Sequence, residues 1–251
     1  MNFASLKSDV VGPVFDTILD LIWPPLCAVC GVETRGHLCA SCRAKIKARD
    51  PKLCCPICDV TMMLPDSAGF IATPCTNCLK EKPKFDKARA ATTFEGPVRK
   101  LVIQMKYLKG AWLAGTLTDF LEGCFTAEFS GDKIDAVCPV PLFHARSRDR
   151  GFNQAELMGR DLAHRFKLDF NTDLLLRTRP TVTQTAMNAR ERRSNMAGVF
   201  VSPPKYRPIV FGRNILLVDD VMTTGSTLNE CAAALKNNGA AKVFAIAVCR
   251  K

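Results

Sequence analysis

The spacing of apolar and polar positions divides the chain into three stretches of different character. Residues 14–22 place Val14, Ile18, Leu21 and Ile22 on one face of a helix, and Pro24 and Pro25 stop it. From Cys27 to about Pro83 no apolar period is long enough to build a core. Beyond Pro83 the periodicity returns. Val98, Leu101, Val102, Met105 and Leu108 follow the i, i+3, i+4, i+7 spacing of one buried helix face. Strands are predicted at 134–140, 214–218 and 242–249, with helices near 154–167 and 226–238, the last closed by Gly239. Apolar strands alternating with amphipathic helices predict an α/β fold with a mainly parallel sheet and helices on both faces. The expected organisation is an N-terminal helix over 1–26, a cysteine-rich module over 27–82 and one α/β domain over 83–251.

Composition adds compartment and charge to this picture. A chain of 251 residues with 47% hydrophobic content can bury a real core. The early apolar stretch from Val10 to Trp23 is broken by Gly12, Pro13, Asp16 and Asp20, which is too short and too charged for a bilayer span. It also lacks the basic start and small-residue cleavage pattern of a secretory signal, so a cytoplasmic location is expected. The formal charge is +11. Eight metal-bound thiolates and two Zn²⁺ would leave it at roughly +7, a basic excess compatible with phosphate-rich partners.

Nine of the thirteen cysteines fall between Cys27 and Cys78. In a reduced compartment, grouping as C-x-x-C pairs means metal ligation rather than disulfides. The first four ligands are Cys27, Cys30, Cys39 and Cys42; the second four are Cys55, Cys58, Cys75 and Cys78. Each pair forms a turn that aims two thiolates at one ion, and two pairs complete the tetrahedral sulfur shell of a structural zinc. Metal then replaces the missing core. Spacing alone admits both sequential and cross-braced pairing. Cys55 is preferred to Cys54 because it keeps the two-residue gap, and His37 is a substitute ligand candidate. Cys124, Cys138, Cys231 and Cys249 lie in apolar surroundings and are expected in the core.

The segment from Asn214 to Thr227 (NILLVDDVMTTGST) carries the most chemistry per residue. An apolar strand ending at Val218 leads into Asp219 and Asp220, then through Val221 and Met222 to a hydroxyl-rich turn that opens a helix. Backbone N–H groups at that helix start, the hydroxyls of Thr223, Thr224, Ser226 and Thr227, and the close backbone approach allowed by Gly225 form a phosphate cradle. The two carboxylates at the carboxyl end of the strand can accept hydrogen bonds from adjacent sugar hydroxyls. Neither G-x-x-x-x-G-K-[ST] nor G-x-G-x-x-G is present, which excludes those two nucleotide-binding loops.

This segment resembles the ribose-phosphate signature of type I phosphoribosyltransferases. Together with PPLCAVC, FEGPVRKLVIQMKY, VPLFHARSRDRGFNQAEL and TQTAMNARERRSNMAGVF, it makes the chain similar to the ComF family of competence-related proteins. The resemblance implies a type I phosphoribosyltransferase fold behind an N-terminal double zinc ribbon. It also implies that Asp219 and Asp220 hold the ribose hydroxyls of phosphoribosyl pyrophosphate, which binds with Mg²⁺, while Thr223 to Thr227 hold its 5′-phosphate. The implied setting is natural transformation, with single-stranded DNA and competence proteins as partners.

Two arginine groups flank the signature: Arg146, Arg148 and Arg150, then Arg190, Arg192 and Arg193. Their guanidinium forks suit a departing pyrophosphate and equally a DNA backbone. Lys106 is a further phosphate-contact candidate, with snorkelling from a buried helix as its other reading. The alternative to an enzyme is an inactive transferase fold that serves as a DNA-binding or assembly platform.

Overall fold

A computed structural model describes residues 26–62, 73–143, 151–179 and 198–251. These fall into two compact units, the first ending at Ile46 and the second beginning at Lys47. The first contains the helix α1 (Ala40–Ala44). The second contains α2 (Thr76–Lys80), β1 (Lys87–Thr93), α3 (Gly96–Tyr107), α4 (Ala114–Phe129), β2 (Ala136–Pro139), α5 (Gln154–Phe166), β3 (Asp169–Phe170), β4 (Leu176–Arg177), β5 (Phe200–Val201), α6 (Arg207–Val210), β6 (Asn214–Met222), α7 (Ser226–Asn237) and β7 (Lys242–Arg250).

Five strands form a parallel sheet in the order β1-β7-β6-β2-β3. β6 lies at its centre, with Leu217 opposite Cys138 of β2 and Ala245 of β7. Ile215, Leu216, Leu217 and Val218 are all fully buried, as expected of a parallel strand covered on both faces. Ile215 and Leu217 share a core with Cys231, Ala232 and Leu235 of α7. Val218 instead sits under α5, where Gly159 allows close approach: a Cβ there would lie 3.6 Å from Val218 and 3.2 Å from the Phe170 ring. On the α5 side, Phe125 of α4 packs against Phe166 with ring centroids 4.3 Å apart. Helices therefore cover both faces.

The chain leaves β2 through α5 to reach β3 on one side of the sheet. It leaves β6 through α7 to reach β7 on the other. Winding reverses between β2 and β6, and that crevice at their carboxyl ends is where open α/β sheets place ligands. β6 does not stop at Val218 as its apolar run suggests. It continues to Met222, with Asp219 paired to Ala247 and Val221 to Cys249. Ladder hydrogen bonds to β7 carry the extended backbone past the end of the apolar run, so both acids belong to the strand.

β1 was not legible from its sequence, KARAATT, because alanine and basic residues are weak strand formers. Tertiary partners supply what propensity lacks. Lys87 is paired with Asp132, and Arg89 Nε donates to Glu128 Oε2 at 2.7 Å. The outer edge of β1 is closed by the second cysteine-rich segment: Ala88 N–H donates to the Ile57 carbonyl at 2.8 Å, and Ala90 N–H to Asp59 Oδ2 at 3.1 Å. Covering an edge in this way removes a row of exposed backbone groups.

Asp59 is the bolt of this contact. It is buried, it adopts a left-handed backbone (φ 62°), and its Oδ2 also accepts from Arg49 Nε at 2.8 Å. The Arg49 side chain is itself only 8% exposed, so removing the carboxylate leaves a buried guanidinium without its counter-charge, held only by neutral partners such as the Asp59 carbonyl and Thr61 Oγ1. Asp59→Ala is expected to lower unfolding free energy by about 3–5 kcal/mol, the usual cost of breaking one side of a buried ion pair. Urea titration of the zinc-loaded protein measures this directly.

Candidate functional site

The cysteines assemble into two groups, Cys27, Cys30, Cys39 and Cys42, and Cys55, Cys58, Cys75 and Cys78, with all sulfurs of a group within 4.8 Å of one another. Pairing is sequential. The sulfurs of Cys30 and Cys39 are 3.7 Å apart, as are those of Cys58 and Cys75. Four sulfurs about 2.3 Å from a tetrahedral zinc stand about 3.8 Å from each other, close to the 3.7 Å of these two sulfur pairs. Both are compatible with structural zinc.

Each group is entered by the same turn. Cys27 N–H donates to Val32 O and Gly31 N–H to Cys27 O, both at 2.8 Å; Cys55 N–H donates to Val60 O and Asp59 N–H to Cys55 O, both at 2.9 Å. Gly31 and Asp59 occupy the same left-handed position. Burial works against a thiolate at Cys27, yet backbone N–H groups of Cys39, Val29 and Cys30 outweigh it and bring the pKa down to about 6. At Cys55 burial is likewise outweighed by the N–H groups of Cys58, Cys75 and Ile57, giving about 7. One sulfur per group is thus prepared for metal.

Cys54 lies outside the second group and accepts a hydrogen bond from Arg49 Nη2 at 3.2 Å. His37 is also outside the first; its carbonyl accepts from Ala28 N–H. Cys138, Cys231 and Cys249 are buried and Cys124 is half-buried.

The second constellation lies at the carboxyl end of β6. Alternation along a strand sends Asp219 and Asp220 to opposite faces of the sheet. Asp220 is buried, and its Oδ1 is 2.8 Å from Lys106 Nζ, which reaches it from the last turn of α3. Lys106, considered from sequence as a phosphate contact or a snorkelling residue, is thereby a partner of the acid pair. The Asp219 carboxylate also braces the backbone locally, its Oδ1 accepting from Asp220 N–H at 2.8 Å. Burial, and then the charge of Asp220, raise the Asp219 pKa to about 7, against the opposing charges of Lys106 and Arg177. Arg177, on β4, was not singled out from sequence because nothing near position 177 points to a residue forty positions away.

Past Met222 the chain turns through Thr223 and Thr224, both exposed, into α7. Gly225 is the N-cap with φ 79°, a left-handed conformation that favours glycine. Thr224 Oγ1 and Ser226 Oγ are 2.7 Å apart. Glycine brings no side-chain oxygen to the first-turn N–H groups of α7, and an anion is a natural partner for them. A cavity of about 360 Å³ adjoins this turn. Arg146, Arg148, Arg150, Arg190, Arg192 and Arg193 lie outside the described residues. The segment that holds the last three leaves from β4 and returns to β5, which pair antiparallel, with Thr178 N–H donating to Val199 O at 2.9 Å.

A central parallel strand carrying two acids, followed by a glycine-capped helix at the winding reversal, defines a phosphoribosyltransferase-type domain, and residues 155–251 match the phosphoribosyl transferase domain family. The chain as a whole belongs to the ComF family of competence and DNA-utilization proteins. DNA utilization protein YhgH of Escherichia coli O157:H7 is 33% identical over 90% of this chain and 97% of its own length. Competence protein F of Haemophilus influenzae is 30% identical over 83% of this chain and 88% of its own. Competence protein ComFC of Bacillus subtilis is 24% identical over 81% and 80% respectively. No helix among the described residues is long and apolar enough to cross a membrane.

Separate tetrathiolate groups lead to a simple expectation for metal content. The purified protein should carry about two zinc ions per chain, and Cys42→Ser and Cys78→Ser should each lose one while Cys54→Ser keeps both. Elemental analysis after removal of loosely bound metal measures all three.

Proposed function

We propose that the carboxyl end of β6 is a Mg²⁺-dependent site for phosphoribosyl pyrophosphate, of the kind that supports pentosyl transfer. The observation that carries this reading is the strand itself: it delivers Asp219 and Asp220 on rigid backbone directly ahead of a glycine-capped anion turn. In this assignment the ribose lies across the carboxyl end of β6, so that Asp219 and Asp220 accept hydrogen bonds from its hydroxyls from either side of the strand end. Lys106 holds one oxygen of Asp220, and a carboxylate retains capacity for further donors. The hydroxyls and N–H groups from Thr223 to Thr227 hold the 5′-phosphate. Magnesium, when bound with the ligand, neutralises pyrophosphate charge.

These residues orient the sugar; none is placed to attack it. Transfer would break the bond from the anomeric carbon to pyrophosphate, which leaves with the electron pair, while an acceptor lone pair forms the new bond. Fixed orientation and stabilisation of the leaving charge are then the protein's contributions. The raised pKa of Asp219 adds a pH signature. Its carboxylate is the hydrogen-bond-accepting form, and it is populated only as pH rises through about 7.

Calorimetric titration with phosphoribosyl pyrophosphate tests the assignment. Binding should require Mg²⁺, weaken at least about tenfold in Asp220→Asn, and be lost in Gly225→Val, whose β-branched side chain opposes positive φ. Ionisation of Asp219 should strengthen wild-type binding about tenfold from pH 6 to pH 8, beyond the change seen in Asp219→Asn. An Asp219→Asn profile as steep as the wild type would remove that residue from the site.

We place this activity in the handling of single-stranded DNA, supported by the relatives' names and by the basic balance of the chain. Single-stranded oligonucleotide affinity should then fall with salt. Replacing Arg190, Arg192 and Arg193 by alanine should reduce the slope of log affinity on log salt by about 0.7 for each phosphate that is no longer neutralised. An unchanged slope in a fluorescence-anisotropy titration would take those arginines off the DNA-binding face.

A further inference from the structure

The cavity beside the phosphate turn has an unexpected opposite wall. Thr223, Thr224, Gly225 and Ser226 line one side, and Cys58, Cys75 and Cys78 of the second cysteine group line the other. The two walls are tied together within one compact unit. Arg250 Nη1 donates to the Cys58 carbonyl at 2.7 Å, and Lys84 N–H donates to Asn229 Oδ1 in the first turns of α7 at 2.8 Å. Phe85 closes the base, its ring carbons 3.8 Å from where a Cβ on Gly225 would project. The second metal ribbon therefore shapes a space that begins at the anion turn.

The geometry points to a ligand larger than a ribose phosphate. Asp219, Asp220 and Lys106 are not part of the cavity lining. In the proposed site the sugar lies between the acids and the turn, with its phosphate on the turn. A group that occupies the cavity is then attached at the phosphate and not at the anomeric carbon. At about 360 Å³ the space falls in the range of small-molecule sites and far exceeds what one phosphate requires. Its lining suits a polar ring system on a charged linker: Lys82, Arg250 and Lys251 supply positive charge, Pro83 and Phe85 supply apolar surface, and Asn77 supplies an amide. Glu81 and Glu230 also line it and would disfavour a second, fully ionised phosphomonoester there.

We infer that the cavity between the second cysteine group and the phosphate turn is a subsite for a substituent carried on the 5′-phosphate of the bound ribose, as in a ribose 5-diphosphate ester. This rests on the sugar-phosphate assignment above, and the second ribbon becomes a wall of the ligand site as well as a cover for the β1 edge.

ADP-ribose and ribose 5-phosphate, titrated separately into the zinc-loaded full chain, test the subsite. ADP-ribose should bind about tenfold or more tightly than ribose 5-phosphate, a gap worth about 1.4 kcal/mol. Asn77 is exposed and lines the cavity from the segment of the second cysteine group, so Asn77→Trp fills the cavity from the ribbon side; Glu81→Trp does so from a second exposed position. Both variants should lose the gap while retaining ribose 5-phosphate affinity and full zinc content, which also certifies their fold. Equal affinities in the wild type, or a gap that survives both tryptophans, would overturn the subsite and leave the sugar-phosphate site intact. If ribose 5-phosphate affinity falls in parallel in both variants, the cavity belongs to the sugar-phosphate site and the separate subsite is refuted. Binding of neither ligand, nor of phosphoribosyl pyrophosphate, would overturn both readings.

Discussion

The parallel ladder between β6 and β7 is the constraint on which the candidate site depends. It runs past the apolar core to Met222 and Arg250, so the two acids are held by strand backbone and not by a loop. Had the strand frayed at Val218, where its apolar sequence ends, Asp219 and Asp220 would sit on backbone free to rotate. Instead the strand's twofold alternation splits them between faces, places Asp220 against Lys106, and delivers the chain to Gly225 at a defined point. A site on a strand is positioned by the whole sheet, which is the condition for orienting a flexible sugar.

The same ladder explains the electrostatics. At the end of a buried strand, burial and then the neighbouring charge of Asp220 raise the cost of ionising Asp219. Lys106 and Arg177 offset part of that cost from two different elements, α3 and β4. The arrangement leaves Asp219 near the point of half-ionisation at neutral pH, so a cationic or hydrogen-bond-donating ligand has a large lever on it.

The cysteine groups show how a coreless segment becomes part of a larger core. Four sulfurs gather at the turns of each group, but only the second group belongs to the unit that contains the sheet. There the position filled by Gly31 in the first turn is filled by Asp59, whose carboxylate bonds Arg49 and the edge of β1. A glycine would adopt the left-handed backbone at lower cost. The aspartate exchanges that ease for attachment to the sheet, and the same segment brings Cys58, Cys75 and Cys78 to the lining of the cavity beside the Gly225 turn.

Everything that rests on short-range pattern was readable from the chain alone. Cysteine spacing picked out the eight cysteines that gather in two groups, and the motif from Leu216 to Thr227 marked the turn and its glycine. Helix periodicity placed α5 within one residue and gave the buried Val98, Leu101, Val102 and Met105 of α3, but also Leu108, which lies past the end of the helix and is exposed. These are local because metal turns, helix faces and N-caps are set by neighbours a few positions apart. Packing settled what depends on partners far along the chain: sequential pairing of the cysteines, β1 as an edge strand despite its alanines, extension of β6 through the acids, and the partnership of Lys106 with Asp220. Residue 106 and residue 220 carry no mutual mark in the sequence. Only the packing of α3 beside the end of β6 brings the ammonium within 2.8 Å of the carboxylate, since a salt bridge is a property of distance and desolvation, neither of which a linear pattern contains.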